Sequence, residues 1–184
     1  MRGDLDPKII RAKKMMLWVG MISISMTFAG LTSAYVVSSS RSDWLLNFEI
    51  PDDFFFSTVL ILVSSISFYM SGIKLRIEKI NSSKIYLLTT FISALLFMFF
   101  QFKGFSTIID QGYYFTGAES SITTSYLYVL VLLHMAHLFV GLITLIVVYY
   151  NLSFGKYSSG NKLGFELAQT FWHFLGLLWI YLYL

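Results

Sequence analysis

Five stretches of the chain, 15–38, 54–73, 85–102, 124–150 and 167–184, run through mostly apolar residues without a single Asp, Glu, Lys or Arg. A helix crosses the hydrocarbon core of a bilayer with roughly 20 such residues. In lipid, every backbone N–H and C=O must find its partner inside the segment, so a helix is the form such a stretch takes. The pattern predicts an all-α polytopic membrane protein of five transmembrane helices, built as one transmembrane domain over residues 1–184. The last stretch is the shortest, and residues 163–165 can extend it at its start. The first is too long to be the core of a cleavable signal, which spans roughly 7–15 residues, and it reads as a retained helix. The connecting segments carry the polar and turn residues. The longest of them, 39–53 and 103–123, are too short to form a domain.

Charge changes the picture by giving it a direction. Arg2, Lys8, Arg11, Lys13 and Lys14 precede the first stretch. Lys74, Arg76, Lys79 and Lys84 lie between the second and third, and Lys156 and Lys162 between the fourth and fifth. The opposite side holds only Arg41 and Lys103, together with the acids Asp43, Glu49, Asp52, Asp53, Asp110 and Glu119. Basic residues accumulate on the cytoplasmic side of membrane proteins. The N-terminus is therefore expected in the cytoplasm and the C-terminus at the periplasmic face of a bacterial inner membrane.

Composition excludes several functions. The chain is 57% hydrophobic and 12% charged, about half the roughly 25% charge of soluble domains. It has no cysteine, which rules out a disulfide framework, a thiolate metal site and a cysteine nucleophile. No phosphate-binding glycine loop, catalytic triad or paired carboxylates occur, and no nucleic-acid partner is expected.

Two groups of intramembrane residues stand out. The first stretch carries small residues at Gly20, Ser23, Thr27, Gly30 and Ala34, alternately three and four apart. Such a seam lets two helices approach closely in lipid. Ser57, Ser64 and Ser71, seven apart on the second stretch, are the expected facing seam. The other group is ionisable: His134 and His137 share a face of the fourth helix. Glu166, at the cytoplasmic edge of the fifth, shares a face with His173 two turns on. Ionisable groups at membrane depth are costly and usually face a protein interior. A di-iron carboxylate bundle needs two Glu-x-x-His motifs and two further glutamates, and the sequence has neither. Haem ligation by two histidines, or copper ligation by His134, His137 and His173, is weighed against a structural or lipid-contacting role, and the structural reading is preferred.

The residues around these positions carry a resemblance. Phe165-Glu166-Leu167-Ala168, then Phe171-Trp172-His173-Phe174 and Trp179, resemble the last helix of the cytochrome c oxidase subunit III family. Tyr126-Leu127-Tyr128-Val129-Leu130, His134-Met135-Ala136-His137 and Gly141 are similar to its His-x-x-His-x3-Gly helix. Trp18, Phe28-Ala29-Gly30, Ser33-Ala34-Tyr35, Ile50-Pro51 and Ser64-Ser65 extend the likeness along the chain. The resemblance implies a non-redox subunit of a haem-copper terminal oxidase that carries no catalytic centre and no metal. Haem and copper would sit in partner subunits, beside the catalytic subunit I and other oxidase subunits, with a larger respiratory supercomplex as a further partner. It also implies a two-helix arm and a three-helix arm enclosing a cleft for structural phospholipids. Glu166, Trp172 and His173, with His134 and His137, are the polar residues available to hold lipid or the fold. Two positions depart from the family pattern: Ile24 follows Ser23 where the family has a glutamate, and Gly176 stands where it has an aspartate. A quinol oxidase subunit III, a nitric oxide reductase accessory subunit and a small transporter are the alternatives. The transporter lacks support, because inverted repeats, broken helices and charged midplane sites are missing from the sequence.

Overall fold

The computed structural model describes residues 6–41, 51–112, 122–157 and 162–184. Arg2, Asp43, Glu49, Ile50 and Glu119 lie outside the described residues. Five helices follow one another: α1 (Pro7–Ser38), α2 (Asp52–Arg76), α3 (Ile80–Asp110), α4 (Ile122–Ser153) and α5 (Leu163–Tyr183). No strand occurs among the described residues.

Each helix reaches beyond or up to the apolar stretch that predicted it, and local chemistry sets the ends. Asp6 caps α1 by accepting from the Lys8 N–H at 2.9 Å, with Pro7 in the first helical position. There its fixed φ suits the helix and its missing N–H costs nothing. Asp52 and Asp53 occupy the first turn of α2, and Lys74 and Arg76 its last. Each sign is placed to favour the helix dipole. Where α2 meets α3, the Lys79 N–H reaches the Lys74 carbonyl at 3.0 Å and the Glu78 N–H the Leu75 carbonyl at 3.2 Å. This closure demands a left-handed residue, and Glu78 supplies it at φ +59°. At the end of α4 the same pair of bonds runs from Lys156 to Asn151 and from Gly155 to Leu152. A glycine there, at φ +63°, takes the conformation without strain.

By length and composition α1 to α4 each suffice to cross a membrane. The fifth helix does not meet the same criterion of composition. Glu166, Gln169, Thr170 and His173 lower its hydropathy, although its 21 residues give it about 31 Å at 1.5 Å per residue.

The packing departs from the expected two arms. Among the described residues α1 packs on α4 and α5 and makes no contact with α2, while α2 pairs most closely with α3 and also packs on α5. The first two helices therefore do not form an arm. The reason lies in which face each helix buries. The inner face of α1 carries Met21 and Phe28, both buried. Ile24 and Leu31 join Phe28 against Leu130 and Leu178. These positions alternate at four and three residues, and the small-residue seam lies on other faces of the helix. Gly20, Ser23, Thr27 and Gly30 are exposed and Ala34 is half-buried. A Cβ built at Gly20 or Gly30 meets nothing within 4 Å.

The serines of α2 serve other neighbours. Ser71 and Ser83 donate to each other's carbonyls at 2.9 and 3.0 Å, and Gln101 Nε2 donates to Ser57 Oγ at 2.8 Å. These bonds, all buried, tie α2 to α3. Ser64 faces α5 instead, accepting from the Trp172 indole N–H at 2.9 Å.

Candidate functional site

The polar residues of α4 and α5 separate into a sealed core and an open edge. His134 is completely buried. Its ring lies 5.3 Å from that of Trp179 and 6.4 Å from those of Phe28 and Phe97. Neither of its nitrogens finds a hydrogen-bond partner. His137, one turn on, is half-buried with its ring 5.8 Å from Phe28, and its Nδ1 lies 2.7 Å from the Leu133 carbonyl. The two histidines share the face expected of them, and that face looks toward α1. His134 does not touch lipid; it is part of the aromatic core.

Trp172, expected to hold lipid or the fold, turns inward. It is 1% exposed, and its indole N–H is used on Ser64, so it is not available to a head group. Gly141 on α4 is what admits the ring: a Cβ there would come within 3.1 Å of Trp172 Cζ3 and 2.9 Å of Leu175 Cδ1. Trp179 repeats the arrangement two turns on, donating to Thr58 Oγ1 at 3.0 Å. Two indoles on α5 thus reach two hydroxyls on α2 and satisfy polar groups that lipid could not. Gly176 lies between them, where a Cβ would meet Ser65 Oγ at 3.1 Å.

Glu166 and His173 form the open edge. Glu166 pairs with Lys14 of α1 at 3.0 Å, both side chains nearly half exposed. Lys14, Trp18, Glu166, Leu167 and Thr170 border a shallow pocket of about 160 Å³. The sequence held the signal for this pair, since Lys14 immediately precedes the first apolar stretch and Glu166 the last. His173 is half-buried, with its ring 6.3 Å from that of Phe68 on α2. It makes no hydrogen bond to His134 or His137, and none to any other described residue. Gln169, which the sequence reading passed over, reaches the Phe68 carbonyl at 3.4 Å and packs its amide over Gly72. The polar stripe of α5 therefore touches α1 through Glu166 and α2 through Gln169, with His173 beside them. α1 and α2 do not meet over it.

Among the described residues no three His, Asp or Glu side chains come together in a group that could hold a metal ion. His134 is enclosed by aromatic rings, His137 is bonded to its own helix, and His173 lies on the α2 side of α5.

Residues 15–184 match the model of the family described as cytochrome c oxidase subunit III. Individual proteins agree. The chain is 29% identical over 94% of its length to the cytochrome bo(3) ubiquinol oxidase subunit 3 of Buchnera aphidicola subsp. Acyrthosiphon pisum, covering 85% of that protein. It is 23% identical over 91% of its length to the cytochrome c oxidase subunit 3 of Thermostichus vulcanus, covering 82% of it. A probable cytochrome c oxidase subunit 3 of Rickettsia prowazekii is 30% identical over 74% of this chain and 46% of its own length.

Proposed function

The chain belongs to the cytochrome c oxidase subunit III family and so to an oxidase complex, and from that premise we propose that it is the non-redox subunit of a haem-copper terminal oxidase. It supports oxygen reduction and proton translocation by bracing the catalytic subunit and by holding phospholipids. The observation that carries this reading is the outer face of α1. Only 11% of its most apolar 18-residue window is buried by the chain itself, and the small residues Gly20, Ser23, Thr27 and Gly30 lie exposed. Tight helix association in lipid uses such faces, and a catalytic subunit supplies the missing helix. Haem and copper then reside in partner subunits, and the same face can extend to a larger supercomplex. The chain sits in a bacterial inner membrane with its N-terminus cytoplasmic and its C-terminus periplasmic, as its basic residues direct.

Lipid is held at the open edge, where Glu166, Lys14 and Thr170 offer charged and hydroxyl groups to a head group and His173 offers an unpaired imidazole. Trp172 takes no part. The isoleucine at position 24 packs with Phe28, Leu130 and Leu178, so α1 carries no carboxylate there for proton uptake. Substituting Glu166→Gln together with His173→Ala in the purified complex tests the reading. The initial rate of oxygen reduction should be little changed, while activity declines faster during turnover and bound phospholipid falls. Loss of the initial rate with lipid retained would contradict it.

A further inference from the structure

Among the described helices α3 touches α2 and α4 alone. Between α3 and α4 runs a groove of about 180 Å³, lined by Leu87, Leu88 and Phe91 on one wall and by Leu145, Ile146 and Tyr149 on the other. Sites that take small organic molecules measure roughly 300–1,000 Å³, and a helix with its side chains is roughly 10 Å across. The groove is too small for either. A single hydrocarbon chain is thin enough, and the aliphatic and aromatic walls suit it.

The groove ends at a cation. Lys84 stands three and four residues before Leu87 and Leu88 and seven before Phe91, the spacing that stacks side chains on one helix face. It is half-buried and has no ion-pair partner among the described residues. Neither wall can supply one, because residues 80–109 of α3 and 122–153 of α4 hold no Asp or Glu. The acid nearest in sequence, Glu78, belongs to the α2–α3 turn, next to Lys79. Lys156, just past α4 and over the Tyr150 ring at 5.5 Å, adds a further cation to the same end of the bundle. The phenol of Tyr149 likewise makes no hydrogen bond to a described residue. An ammonium can only donate, and a phenol can donate too, so this mouth calls for an acceptor with negative charge. A zwitterionic head group brings an ammonium of its own, for which neither wall has a carboxylate. An anionic head group leaves no charge unpaired.

We propose that this groove seats one acyl chain of an anionic phospholipid whose phosphate meets Lys84, with Tyr149 as a second donor. The position is distinct from the lipid-holding edge formed by α1 and α5, since α3 touches neither of those helices. Either can therefore fail without the other.

The purified complex in phosphatidylcholine nanodiscs, doped with phosphatidylglycerol carrying a diazirine midway along one acyl chain, decides the matter after irradiation and peptide mapping. Label is expected in residues 85–92 and 142–150, displaced by unlabelled phosphatidylglycerol and not by extra phosphatidylcholine. Lys84→Gln should lower it about fivefold at a subsaturating probe concentration, the equivalent of about 1 kcal/mol, which is what one lysine contributes near an anionic surface. Lys84→Arg should keep it, and Glu166→Gln with His173→Ala should leave it unchanged. The competition is read on the unmodified complex, so it stands even where a variant fails to assemble. Absence of label from both segments overturns the proposal. So does label indifferent to Lys84→Gln, or equal displacement by phosphatidylcholine, which would make the groove part of the ordinary lipid shell.

Discussion

The bond between Trp172 and Ser64 is where the account of this fold can be tested most quantitatively. The two side chains join α5 to α2, the indole N–H donating to Ser64 Oγ at 2.9 Å, with Ser64 0% and Trp172 1% exposed. Neither can turn to water. Ser64→Ala strands the indole N–H among rings and aliphatic groups, and an unsatisfied buried donor costs roughly 1–3 kcal/mol. Trp172→Phe leaves behind a serine hydroxyl, which has a way out that the indole lacks. It can bond the carbonyl four residues earlier in its own helix, as Ser25 does with Met21 at 2.9 Å and Thr27 with Ser23 at 3.1 Å. The phenylalanine change therefore loses mainly the hydrogen bond and some packing, about 1 kcal/mol. Once one partner is gone the second substitution is cheaper, so the two should not add. Hydrogen bonds between membrane helices average about 0.6 kcal/mol and reach about 1.7 kcal/mol in double-mutant cycles. A coupling near the upper end, about 1 kcal/mol, is expected because both groups are sealed. Equilibrium unfolding in mixed detergent micelles, across the wild type, both single variants and the double variant, measures it. Additive effects within about 0.3 kcal/mol would show that the bond contributes nothing specific and that the α2–α5 contact is held by packing alone.

Three further outcomes follow from particular contacts. Gly104→Ala places a Cβ 2.8 Å from Phe54 Cε2, a ring already pressed against Phe105 and Trp179. Overpacking costs roughly 1–3 kcal/mol against a helix-propensity gain of about 1 kcal/mol, so a lower unfolding midpoint is expected. Glu78→Gly relieves the left-handed strain at φ +59° and should raise stability by about 1 kcal/mol, visible as a higher midpoint in the same assay. Burial raises the Tyr157 phenol above its ordinary value, with a bond from Asn151 opposing in part. The folded state therefore holds that proton more tightly than the unfolded one. Stability present below about pH 10 is lost as pH climbs from there toward the folded value, and Tyr157→Phe should flatten that part of the stability curve.

The existence and order of the helices were legible because a bilayer imposes length and apolarity on every span. The basic residues likewise segregate between the loops, whatever the packing. Helix pairing was not legible for the same reason. Leu, Ile and Phe line both lipid-facing and core-facing sides of these helices, so hydropathy does not say which side of α1 is inner. The small-residue seam looked like the packing face, yet Ile24, Phe28 and Leu31 are the residues that meet α4 and α5. Trp172 was expected to hold lipid or the fold, and its residue type could not decide between them, because the glycine that makes room for it, Gly141, lies on another helix. Glu166 was legible as an edge residue, and its partner Lys14 could have been found by asking which cation shares that edge.

The central claim is that the uncovered face of α1 joins this chain to a catalytic subunit. Gly20→Leu combined with Gly30→Leu addresses it directly, because a Cβ at either position meets no atom of this chain within 4 Å. The isolated subunit should then fold as well as the wild type, judged by its unfolding midpoint. Haem that co-purifies with it from membranes, measured by the reduced-minus-oxidised optical spectrum, should fall severalfold. Haem retained in full stoichiometry with the double variant would contradict the account.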